Sequence, residues 1–270
     1  MAEAFPAELI RTRRLSDSTM DFRFKRTDGK PVVFEPGEFF RFSFTDSAGT
    51  FERPYSLCNF TDASQKEMDL VISTVDGGRA SEYLFHCDVG IEASVTGPYG
   101  RMVLPAELPQ RLFMVATSVG IAPFLPMLDK LNEANAVVML LFGVRDRTEL
   151  LYADHLLALS QAWPNLSLVV CYSRKVANLN EYEKLGYVTD FLDTFEPNSE
   201  TDRFLLCGNP RMIDECYGRL KALGFSAKQV IREKYVFTKD TKKVQRPALT
   251  DEQKNLIAEK LRKHPRQSKD

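Results

Sequence analysis

Four compact apolar runs constrain this chain more than any other feature: RLFMVAT at 111–117, AVVMLLFGV at 136–144, LSLVVCY at 166–172 and DRFLLCG at 202–208. Such runs suit strands buried on both faces. The stretches between them carry a helical pattern, as in PFLPMLDKLNEAN at 123–135. Strands of this kind alternating with helices make a parallel sheet covered on both sides. Before Pro109 the rhythm differs. MDFRFKR (20–26) and EFFRFSF (38–44) alternate, MDLVIST (68–74) reads as half-buried, and TDGK, SAGT and DGG are turn signals. Short strands with little helical periodicity indicate a small antiparallel β-barrel or sandwich. The expected architecture is two domains: an antiparallel β-barrel over residues 1–107, then an α/β parallel-sheet domain over 108–237, with a separate extension at 238–270.

At 270 residues the chain can bury two cores. Its net charge of −1 gives no global pull toward nucleic acid or an anionic membrane. The five cysteines are scattered and never spaced C-x-x-C. That argues for reduced thiols in the cytoplasm, and against a disulfide framework or a cysteine-held cluster. The three histidines are too dispersed for a metal site. MAEAFPAELIRTRR at the start holds no apolar signal core, and the apolar run 112–128 is broken by Thr117, Ser118, Gly120, Pro123 and Pro126. The extension stands apart in charge, with +5 on 238–270 against −6 on the rest. Its TDEQ (250–253) is a capping-box pattern. Most such tails are solvated, and docking is the alternative.

ERPYSLCNF (52–60) raises a sharper question. A period of two puts Arg53 and Tyr55 on one face and Pro54 and Ser56 on the other. An edge strand with a cation beside a ring accounts for this, and so does a surface built for a flat, anionic ligand. GGRASEYL (77–84) offers a glycine turn, Gly77 and Gly78, running through Arg79 and Ala80 to Ser81 near a helix start with free N–H groups. A plain capped helix explains it about equally. In TSVGIAPF (117–124), Thr117 and Ser118 close a strand and Gly120 permits close backbone approach before a helix. Alone, each of these is weak.

Their order is what carries weight. RPYSL, GGRASEYL, GPYG, TSVGIAPF and CGNPRM in succession resemble the ferredoxin–NADP(H) reductase superfamily, from Phe5 to about Phe237, and EKYVF (233–237) is similar to the ending of its bacterial ferredoxin and flavodoxin reductases. The resemblance implies an FAD-binding barrel and an NAD(P)-binding α/β domain. In that family's pattern Arg53 would neutralise the flavin phosphate, Tyr55 would pack on the ring beside Pro54, and Ser56 would face flavin N5. Gly78 to Ser81 would meet the pyrophosphate, and Tyr99 of GPYG would lie against the cofactor. The family's Gly-Thr-Gly-Ile-Ala-Pro appears here with Ser118 and Val119 in place of a glycine and a hydroxyl, which bears on dinucleotide affinity. Ser173 and Arg174 fall where the family reads the adenosine ribose. An arginine there suits a 2′-phosphate, so NADP(H) is favoured over NAD, with Arg145 a second phosphate candidate. FAD is favoured over FMN by the bacterial resemblance. Cys207 and Gly208 would lie near the nicotinamide, Glu233 would assist proton movement with Ser56, and Tyr235 or Phe237 would cover the flavin.

The activity implied is hydride transfer from NADPH to flavin, then single-electron transfer to a separate carrier such as ferredoxin or flavodoxin. Two other classes stay open: an electron-transfer subunit of a larger complex, and a low-turnover flavin-binding sensor or scaffold.

Overall fold

The computed structural model describes residues 3–59 and 65–235. The extension 238–270 and Phe237 lie outside the described residues. In the first half, β1 (Phe5–Arg14), β2 (Thr19–Arg26), β3 (Phe39–Asp46), β4 (Gly49–Ser56), β5 (Glu67–Ser73) and β6 (Glu92–Tyr99) form one sheet in the order β4-β3-β6-β1-β2-β5. Every pairing in it is antiparallel. Alternation builds its inner face. Phe40, Phe42 and Phe44 of β3 are all buried, and Phe42 and Phe44 meet Phe24 of β2, with ring centroids 5.3 and 6.0 Å apart. The sheet curls until the chain after β4 reaches β5. Cys58 N donates to Asp69 O at 2.9 Å, and the Asn59 side chain both donates to Glu67 O and accepts from Asp69 N. That contact closes the barrel, and α1 (Arg79–His86) packs at its mouth.

The second sheet takes β7 (Arg111–Thr117), β8 (Val138–Val144), β9 (Leu166–Tyr172), β10 (Glu183–Leu185), β11 (Asp202–Gly208) and β12 (Val230–Lys234), all parallel, in the order β10-β9-β8-β7-β11-β12. The continuous apolar runs now have their reason. Met114 and Ala116 of β7 face one core while Phe113 and Val115 face another on the opposite side, where Phe113 stacks on Phe204 at 4.4 Å. Helices α2 (Phe124–Glu133), α3 (Ala153–Ala162), α4 (Val188–Phe191) and α5 (Pro210–Ala222) cover the two faces. The first of these cores also takes in Cys58, Val71 and Met102 from the barrel side, so the two halves share apolar packing. Strand order reverses at β7, with β8 to one side and β11 to the other. In open α/β sheets that reversal marks the ligand crevice.

Candidate active site between the barrel and the parallel sheet

Pairing of β4 with β3 sets Arg53 opposite Phe42 and Tyr55 opposite Phe40. Both phenylalanines are buried, and the Tyr55 ring meets Phe42 edge-on at 5.9 Å. Arg53 donates to the Glu52 carbonyl at 2.8 Å and lies 5.8 Å from the Phe51 ring centroid. Arg53, Pro54, Tyr55 and Ser56 form one wall of a cavity of about 470 Å³, so Pro54 and Ser56, expected on the opposite face, border the same cavity at the end of the strand. Val71, Ile72 and Ser73 of β5 form a second, and Gly78, Ala80 and Ser81 of the turn into α1 a third. Val119 and Ala122 after β7, with Glu233, Lys234 and Tyr235 around the end of β12, complete it from the other domain.

This volume suits a drug-sized or cofactor ring system. The N-terminus of α1 has no side-chain cap, which leaves its first N–H groups for an anion beside the cavity. A Cβ on Gly78 would stand 2.7 Å from the Val75 Cβ, so the turn needs glycine. The Ser81 hydroxyl is used within the turn: it donates to Gly78 O at 2.9 Å and accepts from Val75 N at 3.1 Å. Arg79 braces the β3–β4 hairpin through Asp46, at 2.8 and 2.5 Å, and Gly49 O, at 2.7 Å. Its hydrogen bond holds the Asp46 carboxyl down to about 2. Tyr99 sits behind the cavity wall, 5.8 Å from the ring of Phe39, which does line it.

At the strand reversal, Ser118 adopts φ 51°, a left-handed conformation that costs a non-glycine residue about 1–2 kcal/mol. The departure from glycine is therefore carried as local strain. Val119 is buried and faces the cavity. Gly120 has no substitute, since a Cβ there would lie 2.5 Å from Cys207 O and 2.7 Å from Gly208 Cα. Thr117 Oγ1 accepts from Asn209 N at 2.9 Å, tying β7 to β11. Thus Thr117, Gly120, Cys207 and Gly208 come together. Ser173 and Arg174 lie two strands along, joined to the end of β8 by Ser173 N to Val144 O at 3.0 Å and Arg174 N to Arg145 O at 2.9 Å. The Arg174 guanidinium is 3.8 Å from the Asp146 carboxylate.

One chain of hydrogen bonds crosses the cavity. Tyr235 Oη donates to Ser56 Oγ at 2.9 Å, and Ser56 Oγ donates to Glu233 Oε1 at 3.2 Å. Burial raises the Glu233 pKa while the Ser56 hydrogen bond works against the rise. Burial also pushes the Cys207 thiol well above its ordinary value, with the Glu233 charge adding to the effect. Burial of this kind disfavours the thiolate.

Phe39, Val71, Ile72, Ser73, Val75, Ala122 and Lys234 also line the cavity, and nothing local in the sequence marks them as ligand contacts. Their apolar strand and turn were visible. That β5 curls round to face β4 was not.

A barrel with an anion-ready turn, facing the switch point of a parallel sheet, defines the class of two-domain flavoprotein reductases. The comparisons with known proteins agree. Residues 6–104 match the oxidoreductase FAD-binding domain family and residues 114–217 the oxidoreductase NAD-binding domain family. Ferredoxin–NADP reductase B of Sorangium cellulosum is 33% identical over 64% of this chain and 71% of its own length. The toluate 1,2-dioxygenase electron transfer component of Pseudomonas putida is 29% identical over 86% of this chain and 67% of that protein. Among solved structures, a ferredoxin NADP+ reductase from Neisseria gonorrhoeae with bound FAD and NADP aligns with TM-score 0.75 at 22% identity, over 87% of this chain and 99% of that one. The chain belongs to the ferredoxin–NADP(H) reductase superfamily. It is a flavin-dependent oxidoreductase with an FAD-binding and an NAD-binding domain.

Proposed function

We propose that this protein takes hydride from NADPH and passes electrons one at a time to a separate cytoplasmic carrier of the ferredoxin or flavodoxin kind. The observation that carries the reading is the Tyr235–Ser56–Glu233 chain of hydrogen bonds, drawn from both domains across one cavity, with Cys207 paired to Glu233 behind it. The redox chemistry, coupling two-electron to one-electron transfer, would be supplied by FAD when bound. Everything else falls to the protein's own groups. Arg53 and the uncapped turn at Gly78 would neutralise the FAD phosphates, and Tyr55 and Tyr235, both on the cavity wall, would hold its ring. Ser56 and Glu233 hold a proton at the site. Thr117, Gly120, Cys207 and Gly208 admit the nicotinamide close to the backbone. Arg174 and Arg145 meet the 2′-phosphate, which sets NADPH above NADH. We place the domain division near residue 107. Absorption spectra of the purified protein before and after anaerobic NADPH and NADH test this. Fast bleaching by NADPH supports the reading; an unchanged flavin spectrum favours a sensor or scaffold.

A second reading, a reductase component serving an oxygenase, is favoured by similarity to the toluate 1,2-dioxygenase electron transfer component. Co-purification with an oxygenase or its ferredoxin would support it. Among the described residues no helix is long and apolar enough to cross a membrane.

A further inference from the structure

The segment 145–152 does two things at once. Its first residues stand at the Arg174 end of the crevice. Asp146 lies 3.8 Å from Arg174 and caps the next turn by accepting from Thr148 N at 3.1 Å and Thr148 Oγ1 at 2.6 Å. Arg147 donates to buried Glu183 at 2.9 Å and to Ala177 O at 3.0 Å, fixing the loop that follows Arg174. Its last residues grip the barrel. Glu149 Oε2 accepts from Ser16 Oγ at 3.0 Å and Ser18 Oγ at 2.8 Å, in the β1–β2 hairpin. The Ser18 carbonyl accepts from Thr74 N at 2.7 Å, one residue beyond the cavity-lining Ser73. Tyr152, held at φ 56°, sets its hydroxyl 3.4 Å from buried Asp21 and 3.8 Å from Cys58 Sγ.

We propose that Glu149 is a positioning residue for hydride transfer, because its two hydrogen bonds to Ser16 and Ser18 lock the segment that meets the coenzyme to the hairpin that supports the flavin cavity. The inference rests on the proposed placement of NADPH along the strand ends. Donor and acceptor atoms must sit about 3–3.5 Å apart, and a 1 Å misplacement by a remote change costs as much as 100-fold in rate. Nicotinamide and flavin are held by different domains, so whatever fixes the domains fixes that distance. Glu149 touches neither cofactor in this arrangement and acts through the hairpin alone.

The test uses the full-length, FAD-loaded protein. Anaerobic stopped-flow gives the rate of flavin reduction at saturating NADPH, and difference absorbance with NADP+ gives its Kd. In Glu149→Ala the reduction rate is expected to fall by about tenfold, with NADP+ Kd and flavin content within about twofold of the parent. Ser16→Ala/Ser18→Ala should do the same. Combining it with Glu149→Ala should add little, because both delete one interaction. Glu149→Gln keeps an acceptor oxygen and should recover most of the rate. A rate within about twofold of the parent in Glu149→Ala overturns the proposal, since misalignment should cost far more. So does a loss that merely follows weaker NADP+ binding or missing flavin. If Glu149→Ala fails to fold, the serine pair decides by the same measures. A parent protein that NADPH does not bleach refutes the placement of the coenzyme itself. A parent and variant that bleach alike refute only the role of Glu149.

Discussion

The Tyr235 hydroxyl donates to Ser56 Oγ at 2.9 Å, joining the end of the parallel-sheet domain to strand β4 of the barrel. Tyr235→Phe deletes this bond and keeps the ring. It is expected to lower stability by about 1 kcal/mol, read as a reduced thermal midpoint, with the flavin-to-protein absorbance ratio unchanged. Loss of flavin in this variant would show that the hydroxyl, and not the ring, does the holding.

Arg53→Ala removes a cation from the cavity wall and should give folded protein that purifies largely free of flavin. Tyr55→Ala should retain flavin more weakly and change its fluorescence, because the ring loses a flat neighbour. Full yellow occupancy in both variants would refute flavin binding at residues 53–56.

Arg174→Ala should raise KM for NADPH about tenfold or more while leaving NADH nearly unaffected, since only the former carries the 2′-phosphate. Steady-state rates with each coenzyme check it. An equal change in both would reduce Arg174 to a solvated partner of Asp146.

Glu233 has a pH signature. Burial raises its folded pKa above the ordinary carboxylate value. Such a group contributes stability that is fully present below its unfolded pKa of about 4.3 and is lost as pH rises through the folded value. Glu233→Gln should therefore flatten the fall in stability from about pH 4.3 upward. Urea denaturation across that range measures it, and identical slopes in both proteins would count against a raised pKa.

Gly120→Ala would press a methyl against Cys207 O and Gly208 Cα, both backbone atoms that cannot rotate away. A loss of roughly 1–3 kcal/mol is expected, with weaker NADP+ binding as the β7 and β11 ends part. Unchanged thermal midpoint and Kd would mean that the turn relaxes.

Much of this was legible in the sequence, for identifiable reasons. The both-face burial of β7, β8, β9 and β11 showed as unbroken apolar runs, and the sharing of a face by Arg53 and Tyr55 followed from the strand period alone. The turn at Gly78 and the close approach at Gly120 were visible as glycines. What escaped depends on distant parts of the chain meeting. Nothing local shows that Arg79 donates to Asp46, far back in the sequence, at 2.5 Å. Nor does anything local show that the Ser81 hydroxyl, at the cavity wall, is bonded to Gly78 O. Glu149 carries no local signal, because its partners are hydroxyls on the other domain.

The cavity walls come from both sheets, so a flavin seated between them is held only while both halves are folded. Cofactor retention and heat resistance then become one equilibrium governed by mass action. Free FAD in the buffer should raise the melting temperature in proportion to the logarithm of its concentration, and protein stripped of flavin should melt in two steps where the loaded form melts in one.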